Sequence, residues 1–371
     1  MRSRINHLII SLLTPILNLV GIVKLYYNFI FTQKNRKVLF LKLDKFNHGR
    51  YGFQLINYFH SAGFHVVFYK SNHFLRNLHG YDRLILSLKN VSVYNHFIKY
   101  NEQDIFFLFN NNGIDLKFIP NKIFKLNLDY FSSFQEIVPN KIIMPFCIHP
   151  IMNRYIPKIN PPKKNRILFY GSNDKFYDSK EVNENFGLIS RSEVFRTINK
   201  TGFNLISPNN YTELIDKLDS SEIRNAFFFI DSSKVWIPAN KWMEILGTFD
   251  FFLATPGVKM PHAHNVIEAM NMKVIPIIEY FDWFFPKLVH FENCISFKNK
   301  EELITRIDQV LSMNDDIISE IRKNVYEYYL NNLEPSSFLK KVNLIQEKNI
   351  ELFFNAEELS LKNRIFKNLK H

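Results

Sequence analysis

The chain has 371 residues, with 47 Lys and Arg against 35 Asp and Glu, a net charge of +12, and 38 Phe. That length predicts two domains or one large one, at about 150 residues each, with a core that needs no metal or disulfide staple. Cys147 and Cys294 form no CxxC or Cys/His zinc pattern and the composition is Phe-rich and Gly-poor, which excludes disulfide-framework, zinc-ribbon, collagen-like and disordered classes.

In chain order, residues 1–35 come first and contain the most apolar stretch, 8–31. His7, Ser11, Thr14, Asn18, Gly21 and Asn28 recur in steps that draw one narrow polar stripe on a helix, with Leu, Ile, Val, Tyr and Phe covering the rest. Arg2 and Arg4 precede the segment, and Lys34, Arg36 and Lys37 follow it. Base on both flanks gives no positive-inside asymmetry. The spacing therefore predicts an amphipathic helix lying on an anionic membrane surface, kinked at Pro15. Two alternatives are a helix packed on the body with its stripe facing water, and a single-span anchor. Few cysteines and the basic flanks favour a peripheral protein on the cytoplasmic face of a membrane.

From 36 to 145 short apolar runs alternate with amphipathic ones. Strands are predicted at 38–43, 65–69, 83–87, 104–109, 123–128 and 141–145, with a helix over 51–62 closed by Gly63. Residues 146–165 hold a cluster of prolines with little periodicity and read as a linker. The alternation restarts over 166–335. Strands are expected at 166–170, 203–207, 226–231, 249–254 and 273–278, and helices at 190–201, 239–247, 263–272 and 300–312. Residues 336–371 read as C-terminal helices crossing back to brace the first domain. The fold class is α/β: two Rossmann-like domains facing a cleft, with an N-terminal amphipathic or membrane-associated helix.

Chemistry concentrates in 249–285. A buried strand ends at Ala254 and passes into Thr255-Pro256-Gly257, then a polar loop with Lys259, His262 and His264, then a helix from Asn265. In an open α/β sheet the crevice at the carboxyl ends of the strands binds ligands, and a helix N-terminus there offers free N–H groups to phosphate. Glu268, one turn into the helix, is placed to accept from two neighbouring ribose hydroxyls.

The run Gly257, His264, Glu268-Ala269-Met270 and Ile275-Pro276-Ile277 resembles the donor-binding region of two-domain GT-B glycosyltransferases, in its exostosin-like and bacterial polysaccharide-transferase flavour. The resemblance is strongest over 240–300. It implies a nucleotide-sugar domain over 166–335 and an acceptor domain over 36–145. Glu268 is then the ribose ligand, and the preceding loop and helix N-terminus hold the pyrophosphate and part of the sugar. Met260 stands where a common retaining pattern has a second glutamate, and Lys273 replaces a frequent glycine. Gly171, directly after the 166–170 strand, matches the first strand–loop of a donor domain, and Arg191 is positioned to neutralise the leaving diphosphate. Asp44 or His48, between the first strand and its helix, is a candidate general base on the acceptor hydroxyl.

The reaction so implied moves a hexosyl or related group from a nucleotide-sugar to a saccharide or lipid-linked acceptor, in surface glycan synthesis. No DxD-like metal motif stands at a strand end, so no metal or other cofactor is expected. A sugar-nucleotide epimerase of the same fold and a non-catalytic basic binding protein are the alternatives. No RNA-binding or helix-turn-helix signature supports nucleic acid as the anionic partner.

Overall fold

The computed structural model describes residues 18–25, 37–43, 50–78, 80–94, 105–110, 118–130, 139–163, 165–172, 181–220 and 226–361. The chain divides into two compact units, one formed by Met1–Met144 with Pro335–His371 and the other by Pro145–Glu334. Each is a Rossmann-like α/β unit around one parallel sheet.

The first unit holds a seven-stranded sheet in the order β3-β2-β1-β4-β5-β13-β6. Its members are β1 (Val38–Lys42), β2 (His65–Phe68), β3 (Val91–Val93), β4 (Ile105–Phe109), β5 (Lys122–Asn127), β6 (Lys141–Ile143) and β13 (Asn349–Phe353). Every pairing is parallel. Helices α2 (Arg50–Ser61), α3 (Asn72–Arg76) and α11 (Pro335–Leu344) complete it, with a short helical segment, α1, described over 18–25. Strands of a parallel sheet are covered on both faces, so they read as unbroken apolar runs; β4, IFFLF, is buried at all five positions.

Three sequence expectations change in this unit. The run 83–87 is not a strand: it belongs to a 3₁₀ segment, Gly80–Ser87. The reason is Asp82, fully buried beneath the first turn of α2, where its Oδ1 accepts from the Phe53 N–H at 3.0 Å. The C-terminal stretch is not all helical. After α11, which packs Phe338 on Tyr58 and Phe59, the chain inserts β13 between β5 and β6. Lastly, the two described residues of the polar stripe, Asn18 and Gly21, do not face water. Asn18 Nδ2 donates to the Leu78 carbonyl at 2.9 Å and Gly21 lies against Leu86, whereas Leu19, Val20 and Val23 are exposed.

The second unit holds a six-stranded parallel sheet in the order β12-β11-β10-β7-β9-β8. Its strands are β7 (Asn165–Gly171), β8 (Leu205–Ile206), β9 (Phe227–Asp231), β10 (Phe249–Ala254), β11 (Ile275–Ile278) and β12 (Ile295–Ser296). Its helices are α4 (Glu181–Phe186), α5 (Arg191–Ile198), α6 (Tyr211–Asp219), α7 (Ala239–Gly247), α8 (His264–Asn271), α9 (Lys300–Leu311) and α10 (Asp315–Tyr328). The phenylalanine excess gathers in this core: Phe169, Phe227, Phe228, Phe229, Phe249, Phe251 and Phe252 are all buried in it.

The stretch expected as a linker is part of this unit over 145–163. Phe146 and Ile148 join the core, Pro161 lies against Gly247, and Lys163 Nζ donates to the Met272 carbonyl at the end of α8, 3.0 Å away. A 3₁₀ turn, Met152–Arg154, interrupts the stretch. Among the described residues no helix is long and apolar enough to cross a membrane.

Candidate functional site

The strand order of the second sheet fixes where a ligand can enter. The chain fills β7, β8 and β9 on one side, then crosses to add β10, β11 and β12 beyond β7. The switch point is thus between β7 and β10, at their carboxyl ends, where diverging loops open a crevice. Gly171 ends β7 there, and Thr255-Pro256-Gly257 follows β10.

The chain brings Arg191 to this point. Ser190 caps α5 through a capping box: its Oγ accepts from the Glu193 N–H, and the Glu193 carboxylate accepts from the Ser190 N–H, both at 3.3 Å. Arg191, the first residue of α5, is buried. Its Nε donates to Thr255 Oγ1 at 3.0 Å and an Nη donates to the Pro256 carbonyl at 3.4 Å. A Cβ on Gly171 would stand 3.0 Å from the Phe169 ring and 3.4 Å from Arg191 Cδ, so the guanidinium stem uses the room that glycine leaves. These two bonds fix the guanidinium at the sheet's switch point.

Gly257 turns the loop back on itself. Its N–H donates to the Pro261 carbonyl at 3.3 Å, and a Cβ would meet the Met260 carbonyl oxygen at 2.8 Å. This tight return delivers the start of α8. Its N-cap, Ala263, has no capping side chain, so the first-turn N–H groups have no partner from that position. Asn265, the second residue of α8, holds an enclosed Oδ1 with no hydrogen-bond partner. A buried acceptor left unmet costs about 1–3 kcal/mol, which a ligand hydroxyl or N–H would recover.

The histidines divide. His264 is half-buried at the head of α8. Its Nδ1 donates to the Cys147 carbonyl at 2.7 Å, which puts the ring hydrogen on Nδ1, and the ring stacks on Phe146 at 4.7 Å. His262 is buried among Phe146, Tyr280 and Phe284. Burial lowers its pKa to about 4, so it is a neutral ring at physiological pH. Lys259 stands on the loop with its Nζ 4.0 Å from Glu181 of α4.

Glu268 is buried one turn into α8. Its Oε2 accepts from Trp242 Nε1 at 2.6 Å and its Oε1 from the His149 N–H at 3.1 Å. Burial raises its pKa to about 7 against the pull of those two donors. Both oxygens thus already have one partner from the unit itself, and each retains a second lone pair for a ligand. Trp242 and His149 carry no motif that announces them. An indole N–H facing a buried carboxylate is visible only once α7 and α8 are packed.

Arg191 and Gly171 therefore meet at the switch point, and the loop leaving β10 there leads into the head of α8, which carries Asn265 and Glu268. Asp44 and His48 lie outside the described residues. Among the described residues no group of three His, Cys, Asp or Glu is arranged to hold a metal ion.

No protein-family model matches the sequence, and no curated protein matches it. Solved structures do match, at low identity. Anabaena HepE in complex with UDP and glucose is 9% identical, with 83% of this chain and 98% of that one covered at a TM-score of 0.43. Sucrose-phosphate synthase from Thermosynechococcus elongatus is 10% identical, with 90% and 100% covered at 0.40. A glycosyltransferase from Rickettsia africae is 13% identical, with 83% and 97% covered at 0.40.

Proposed function

We propose that the chain is a glycosyltransferase that takes its sugar from a nucleotide-sugar donor bound in the second unit. The observation that carries this reading is Arg191 fastened at the switch point of a parallel sheet to Thr255, whose loop leads into the uncapped head of α8. A leaving nucleoside diphosphate gains negative charge in the transition state, and fixed donors aimed at it lower the barrier. Arg191 and the α8 N–H groups supply that compensation as charge and dipole, and the transfer is metal-independent in this reading. Glu268 and Asn265 then face the nucleoside and sugar hydroxyls, and Asp44 or His48 activates the acceptor.

Within that class, the motif from Gly257 to Ile277 favours an exostosin-like or bacterial polysaccharide transferase. Its acceptor is a saccharide or lipid-linked glycan in surface polysaccharide synthesis. A peripheral site on the cytoplasmic face of a membrane goes with it. The exposed Leu19, Val20 and Val23 of α1, with exposed Lys24 beside them, support an apolar contact with an anionic bilayer. Deleting residues 1–35 should release the protein from membranes.

The test is a thermal-shift panel of UDP-, GDP-, ADP- and CDP-sugars with and without chelator. Stabilisation by one nucleotide class, unchanged by chelator and lost in Arg191→Ala, is the expected result. Retention of nucleic acid with no response to any nucleotide-sugar would replace the reading with a basic binding protein.

A further inference from the structure

Glu279 lies one residue beyond β11. The β10–β11 register ends at Ala254 opposite Ile278, so the next step sets Glu279 alongside Thr255, the residue that receives Arg191. Glu279 is 6% exposed, and its Oε2 accepts from the Ile189 N–H at 2.8 Å, two residues before Arg191. It makes no ion pair and no other hydrogen bond among the described residues. A carboxyl group therefore sits at the edge of the crevice assigned to a diphosphate, with one oxygen uncommitted.

Resting on the donor-site reading above, we propose that Glu279 is a further donor-site residue, which holds a proton when the nucleotide is bound and donates it in a hydrogen bond to a diphosphate oxygen. An ionised carboxylate at this place would repel the diphosphate; a carboxylic acid offers it an O–H. The surroundings favour the acid. Burial, with a smaller push from nearby Glu193, raises the Glu279 pKa to about 7 against the pull of the Ile189 N–H. Arg191 is directed at Thr255 and Pro256, and Glu193 is paired with Lys300 at 2.8 Å. Tyr280 has its pKa pushed up by burial, and His262 beside it is neutral. When the anionic diphosphate arrives it adds negative potential and draws the proton from solvent onto Glu279, so that binding at pH 7.5 takes up a proton.

The experiment is calorimetric titration of the full chain with UDP, and separately with GDP, at pH 7.5 in buffers of low and high ionisation enthalpy. The wild type should take up roughly half a proton or more per nucleotide bound. Glu279→Gln keeps a carbonyl for the Ile189 N–H and an N–H₂ donor for the phosphate. It should bind within about threefold of wild type with the proton uptake abolished. Glu279→Ala should weaken binding about tenfold. Binding with the same proton uptake in Glu279→Gln would overturn the assignment and move the proton to another group, Glu268 foremost. Absence of binding by either nucleotide would overturn the donor-site reading itself, and this proposal with it.

Discussion

Arg191 donates from Nε to the hydroxyl of Thr255 at 3.0 Å, which fastens the first turn of α5 to the loop leaving β10. The capping box at Ser190 fixes the helix and Thr255 fixes the guanidinium, so the charge is pre-oriented before any anion arrives. Arg191→Ala should lower turnover by about 10²–10³. Arg191→Lys should recover little, because an ammonium cannot hold Thr255 and a phosphate through one planar fork. Thr255→Val leaves the charge and removes its anchor, so its loss should be nearer tenfold. Initial rates with the donor found in the panel distinguish the three.

Glu268 receives two N–H donors, Trp242 Nε1 on one oxygen and the His149 N–H on the other. Glutamine at this place must turn its own N–H₂ toward one of those donors. Glu268→Gln should therefore cost about 1–3 kcal/mol of stability, although it is isosteric. Trp242→Phe leaves Glu268 Oε2 without its donor and opens a void in the core, so it should cost at least as much as Glu268→Gln. Denaturant unfolding of both variants at pH 7.5 checks the order.

The pH dependence has opposite signs at Glu268 and His262. The folded-state pKa of Glu268 is raised from 4.5 to about 7, so its contribution is present below about pH 4.5 and is lost as pH rises through about 7. That of His262 is lowered from 6.5 to about 4, so its contribution is present above about pH 6.5 and is lost as pH falls through about 4. Each amounts to about 3 kcal/mol, and over pH 4.5–6.5 the two slopes offset. Glu279, raised likewise from 4.5 to about 7, adds a second fall, so wild-type stability should decrease with rising pH across that window. His262→Phe should steepen that fall, and Glu268→Gln should flatten it, because Glu279 then offsets His262 alone.

Much of this was legible in the chain, for identifiable reasons. Parallel strands buried on both faces write unbroken apolar runs, so IFFLF, AFFFID and FDFFLA could be read directly. Ser190 and Glu193 announce the start of α5, and the loop, helix and strand from Gly257 to Ile278 appear in order. What escaped depends on contacts distant in sequence. Asp82 turns 80–87 into a 3₁₀ segment because it meets the Phe53 N–H, and β13 is a strand because β5 and β6 leave it a slot. Trp242, His149 and Glu279 gain their roles only from packing. Of the stripe expected on the first helix only Asn18 and Gly21 are described, and which way they face is set by the Leu78 carbonyl and the Leu86 side chain.

Gly257 offers a sharp test of how the loop serves the site. An alanine Cβ there would lie 2.8 Å from the Met260 carbonyl oxygen and 3.0 Å from that of His262, and both are backbone atoms that cannot swing aside. The strain must be relieved by opening the 257–263 return, which displaces the head of α8. Gly257→Ala should therefore weaken nucleotide affinity at least tenfold, since catalytic and binding geometry degrades steeply over about 1 Å. The hydrophobic core beneath is untouched, so the melting temperature should fall by only a few degrees. Gly202, with nothing within 4 Å of a built Cβ, is the matched control, and Gly202→Ala should change neither quantity. If Gly257→Ala bound nucleotide as the wild type does, the head of α8 would not be the diphosphate cradle.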